Sequence, residues 1–221
     1  MNEKLVPIDL RRLKILEWEE EFRNSSLPEH PSAERLLDIL CSRGTCSDLS
    51  AFKERYSAVS AMDQDLGVLI REPGISANLV EPLRESKMNF LLGNFVSSIA
   101  LCGVVAEMLA ILIYNMNIHD KNKRNQFDSW SQHKRIRELK EEGFIEDRIA
   151  IDLNEIREIR KSSLHRWNRA KEDTTDQALQ AYAAAARLVR KVAIQEFKDG
   201  KCLLNSDLIK YLEDENRLTA K

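Results

Sequence analysis

The chain has 221 residues, 43% of them hydrophobic, and 34 Lys and Arg against 36 Asp and Glu leave a net charge of -2. That is apolar material for one large domain or two small ones, and the near-neutral balance excludes a global field that draws the chain onto nucleic acid, so any such contact must use a local patch. Seven glycines and five prolines are few; with no alternation of β-branched and polar residues, the pattern predicts an all-α protein without strands.

The first third reads as two or three helices. Leu10, Leu13, Leu16, Trp18 and Phe22 form a loose apolar face, and Pro28 and Pro31 break the chain. Ser32 is a suitable cap for a helix over 33–41. Ser47 or Asp48 then caps a helix through Phe52, Tyr56, Val59, Met62, Leu66 and Leu69, with Pro73-Gly74 as its stop. This N-terminal helical layer, residues 1–80, carries no chemical motif. Four cysteines, with no signal-peptide pattern at Met1–Leu10, imply free thiols in a reducing cytoplasm. Cys41-x4-Cys46 lacks the second ligand pair that zinc needs, so no metal is expected.

Pro82 opens the next segment. From Phe90 to Met116 the chain is apolar almost all round, with Glu107 near its middle. Its length would permit a membrane span, but a carboxylate at that depth costs about 3 kcal/mol. A central buried helix is the expected reading, with no membrane involved and a partner required for Glu107. Residues 118–135 read as a basic loop leading into a helix that Gly143 stops. A charge run of this kind is usually a solvated face, although RNA contact is the sharper alternative. His30, His119 and His133 lie in polar contexts and receive no role.

Ile149, Leu153, Ile156, Ser163 and Trp167 then mark the apolar stripe of a further helix. Arg160 falls inside that stripe, where a leucine would be expected. A permanent cation there requires an acidic partner or a cleft, and Glu107 is the candidate partner. His165 follows five residues later, about 140° further round a straight helix, so the two meet only if the helix ends near Ser162-Ser163 or if two copies contribute. Thr174 or Thr175 is expected to cap a long Ala-rich helix, Asp176 to Phe197. Asn205 or Ser206 caps a last short one.

These residues are similar to the signature of HEPN-domain proteins. The resemblance rests on Ala100–Glu107, on Glu142-Gly143-Phe144-Ile145, on Leu153-Asn154-Glu155-Ile156-Arg157-Glu158-Ile159-Arg160, and on Arg160-x4-His165. It covers roughly residues 84–200. It implies an up-and-down helical bundle over 81–221, often a homodimer with the Arg and His near the interface. It also implies a metal- and cofactor-independent endoribonuclease of defence or toxin–antitoxin systems, with RNA and an antitoxin or other protein as partners. Under that reading Arg160 and His165 are catalytic, Glu107 and Lys161 support them, and Arg166 and Arg169 bind RNA. An arginine offers a planar fork to phosphate, and a near-neutral imidazole moves protons. Active members usually carry Asn, Asp or His directly after the arginine. Here Lys161 stands there, unable to accept a hydrogen bond from the histidine. The alternative is therefore a catalytically silent helical module that binds nucleotide, RNA or a protein.

Overall fold

A computed structural model describes residues 49–60, 62, 73–164, 171–198 and 201–215. The fold is an all-α bundle of helices α1 (Leu49–Ser60), α2 (Glu81–Leu91), α3 (Phe95–Asn117), α4 (Lys121–Asp128), α5 (Gln132–Glu141), α6 (Asp147–Leu164), α7 (Lys171–Ala193) and α8 (Ser206–Asp214). The expected helices over 1–48 and the Cys41-x4-Cys46 pair lie outside the described residues.

Helix α3 is the axis of the bundle. Ile99, Cys102, Val105, Ala106, Leu109 and Ala110 are all fully buried, and α2, α6 and α7 pack round it. It is long and apolar enough to cross a membrane by length and composition, but half of its most apolar stretch is buried by its neighbours. The close packing of α7 follows from its alanines: Ala178, Ala181, Ala184 and Ala185 have no exposed surface, and a side chain of one carbon lets helix axes approach. Ser86 on α2 staples α3 from the side, its Oγ lying 3.0 Å from the Ser98 carbonyl, the Ser98 hydroxyl and the Cys102 Sγ. That network satisfies polar atoms with no access to water.

Several boundaries differ from the sequence expectation. Pro73-Gly74 does not close α1. It starts a helical run, one turn over Pro73–Ile75 and a π-helical stretch over Ser76–Val80, that flows directly into α2. The division at residue 80 thus falls inside continuous helix, and Ile75 and Leu79 join Phe52 and Val59 of α1 in one core with the rest. The apolar run from Phe90 is also not one helix: Gly93 takes φ 79° between α2 and α3. Residues 121–128 form a helix rather than a loop, because Asp120 accepts from the Asn122 and Lys123 amides at 2.8 and 3.3 Å. The stop at Gly143 holds, with φ 72°.

Among the described residues, the C-terminal end brings the one departure from helix into strand. Helix α7 begins earlier than expected and ends at Ala193, and Ile194–Lys198 pairs antiparallel with Lys201–Leu204. β-branched and aromatic residues favour an extended chain, and the sequence between the strands, Asp199-Gly200, is a strong hairpin signal. Asn205 closes the unit, its amide donating to the Ala193 carbonyl at 3.1 Å and its side chain capping α8.

Two buried features yield predictions. Burial pushes the Cys102 thiol up to about 12, against a hydrogen bond from Ser86 that lowers it. In the native protein Cys102 is expected to resist a thiol-specific alkylating agent, and to react once urea unfolds the chain, as read by peptide mass mapping. Because its folded pKa lies above the unfolded value, this thiol contributes no pH dependence below pH 9. Its contribution is lost as pH rises from about 9 to about 12. On the other side of the bundle Asp152 of α6, nearly inaccessible, receives Arg187 of α7 at 2.8 Å. Arg187→Met strands that carboxylate and is expected to cost about 2–3 kcal/mol in urea unfolding. Asp152→Asn should cost less, because the Arg187 head already reaches water.

Candidate functional site

The site is built where α6 crosses α3. Leu153 and Ile156 of α6 are fully buried against the core. Arg160, the next residue of that stripe, emerges at its edge and remains 34% exposed. Its Nη1 donates to Oε1 of Glu107, itself 27% exposed. The acidic partner that the stripe demands is therefore the residue expected.

Gly103 makes this approach possible. It lies four residues before Glu107 on α3 and thus on the same face. A Cβ at that position would collide with Cδ of Arg160 and stand 2.9 Å from Nη1. The guanidinium stem lies where any other residue would place its side chain. In the sequence Gly103 is simply one residue of the Ala100–Glu107 stretch. The usable signal was a glycine one turn before a lone acid in an apolar helix.

The end of α6 is fastened locally. Ser162 Oγ donates to the Ile159 carbonyl at 2.9 Å, and Ser163 Oγ donates to Oε1 of Gln177 on α7 at 2.8 Å. The helix runs to Leu164, one turn past Arg160. Lys161 is exposed, turned about 100° from Arg160 and facing solvent. His165, Arg166, Trp167 and Arg169 lie outside the described residues. The structure thus brings together Glu107, Arg160 and Gly103, and turns Lys161 away from them into solvent.

The basic run over 118–135 is in good part structural. Arg124 donates through Nε to the Ile118 carbonyl and through Nη2 to the Asn115 carbonyl at 2.7 Å, and pairs with Glu215, just past the end of α8, at 2.6 Å. Arg135, buried, donates to the Phe127 and Asp128 carbonyls. Both guanidiniums occupy the carbonyls that a helix C-terminus leaves open. Lys134 lies over the Trp130 ring, 3.6 Å from its centroid. Among the described residues no three His, Cys, Asp or Glu side chains cluster as metal ligands.

A family described as a domain of unknown function, DUF4145, matches residues 88–210. That span runs from α2 to α8 and contains the whole Gly103–Glu107–Arg160 unit. No curated protein and no solved structure matches the chain significantly.

The close approach at Gly103 predicts a coupled pair. Gly103→Ala alone should displace Arg160 from Glu107 and lower stability by about 1–3 kcal/mol. In an Arg160→Ala background the obstacle is gone, and Gly103→Ala should be neutral or stabilising by up to about 1 kcal/mol through helix propensity. A double-mutant cycle in urea measures the difference.

Proposed function

We propose a function from one fact and one site: the chain belongs to the DUF4145 family, described only as a domain of unknown function, and its Arg160 end of α6 is suited to an RNA phosphate. The proposed activity is metal-independent endoribonuclease cleavage, of the kind used in defence or toxin–antitoxin systems, on a HEPN-like bundle. The observation that carries it is the seating of Arg160. A guanidinium about one-third open to water, held on Gly103 and braced by Glu107, is preorganised to bind an anion without losing its own side-chain freedom at that moment.

In this reading His165, next in the motif, takes the proton of a ribose 2′-hydroxyl. The 2′-oxygen forms a bond to phosphorus, and the bond from phosphorus to the 5′-oxygen breaks. The imidazolium returns the proton to that departing oxygen. Arg160 holds the non-bridging oxygens as charge builds on them. The products are a 2′,3′-cyclic phosphate and a free 5′-hydroxyl. Lys161, Arg166 and Arg169 supply sequence-independent attraction for the backbone.

A second reading, a silent module that holds RNA without cutting it, is favoured by two observations. Glu107 already neutralises much of the Arg160 charge, and Lys161 cannot orient an imidazole by accepting its N–H.

Purified protein incubated with mixed RNA in EDTA separates the two. The expected result is fragments ending in 2′,3′-cyclic phosphate, lost by at least about 100-fold in His165→Ala and in Arg160→Ala. RNA retention without cleavage, weakened in Arg160→Ala, would establish the silent module. Neither cleavage nor retention would remove both readings.

A further inference from the structure

The RNA reading leaves one surface of the central helix unused. Only half of the most apolar stretch of α3 is buried by its neighbours. On the open side Val96, Ala100, Val104, Met108 and Ile111 form a strip, none of them buried. They fall within about 120° of one another round the helix and span about 22 Å. Val96 is 48% exposed and Val104 39%. At its C-terminal end the strip runs into a pocket of about 120 Å³ between α3 and the Gly74–Leu79 segment, walled by Leu79, Met108 and Leu112.

The one charge on this side of α3 is Glu107, at the margin of the strip and already taken by Arg160. The surface therefore offers an incoming group apolar contact over about four turns of helix and little else. What fits it is a second amphipathic helix of similar length, laid along α3 with apolar anchors three and four residues apart.

We propose that the strip is the docking surface of the chain's own N-terminal segment, residues 9–24. The sequence there predicts a helix whose apolar face, Leu10, Leu13, Leu16, Trp18 and Phe22, extends over about 18 Å, close to the length of the strip. The point where this segment joins the fold also fits. Helix α1 starts at Leu49, and about 9 Å along it Arg55 Nε donates to the Leu91 carbonyl at 2.8 Å. Leu91 ends α2, five residues before Val96. The connection thus enters the bundle at the end of α3 where the strip begins. Residues 25–48 can span up to about 80 Å when extended, several times the distance needed. A tether of that kind presents the segment at an effective concentration in the millimolar range, so a modest apolar contact holds it in place.

The docking has a consequence for the Arg160 end. Glu107 borders the strip, so a helix laid on Val104 passes beside the Gly103–Glu107–Arg160 unit and limits what can reach it. That consequence rests on the anion-binding reading of Arg160; the docking itself does not.

The test uses the full chain with the photo-crosslinker benzoylphenylalanine placed at Val96 or at Val104, and circular dichroism as a check on folding. Illumination is expected to join either position to a peptide within residues 9–24, at the mass of a single chain. The same group placed at Ile151, on the outer side of α6 and 63% exposed, should not capture that peptide. Leu13→Glu with Leu16→Glu should lower the yield at Val104 by about tenfold or more, because two apolar anchors are lost. No crosslink at either strip position, capture of a second copy or of another part of the chain, equal capture from Ile151, or a yield indifferent to the two glutamates would overturn the proposal. None of these readouts involves RNA, so failure of the docking and failure of the nuclease reading are told apart.

Discussion

The seating of Arg160 on α3 is the constraint round which the candidate site is organised. A guanidinium at the edge of an apolar stripe needs three things at once: a counter-charge, room for its stem, and an exit to water. Glu107 provides the first, the bare backbone of Gly103 the second, and the position of residue 160 near the end of α6 the third. Removing any one changes what the others cost. Without Gly103 the cation cannot reach the acid. Without Glu107 it would sit in a half-dry setting with no partner.

Elsewhere charged groups are spent on architecture. Arg124 and Arg135 occupy carbonyls at helix ends, and Arg187 neutralises the buried Asp152. Such arginines look, in a list of residues, much like cations available to RNA. Their donors are directed instead at backbone oxygens and carboxylates of the fold. Arg187 is likewise braced by a carboxylate and open to water; what sets Arg160 apart is the close seat of its stem on the bare backbone of Gly103.

Helix α6 has two edges with different chemistry. Its inner edge carries Arg160 against α3. Its outer edge carries Ile151 and an acidic row beside the basic row of α5.

Much was determined by the sequence alone. The scarcity of glycine and proline, the 3.6-residue apolar stripes and the alanine run of α7 reported an all-helical bundle with α3 at its centre, because these are local patterns that repeat along one chain. A cation inside the α6 stripe even named its acid, since Glu107 was the one charge in the most apolar helix. Boundaries set by competition were less legible: Pro73-Gly74 begins a helix instead of ending one, and Ile194–Lys198 left the helical pattern for a strand. Tertiary structure alone decided the meeting of Gly103 with the stem of Arg160, and the sorting of charge across the α5–α6 groove. Both depend on which helix faces which and how closely, and no spacing within a single helix records the distance to another.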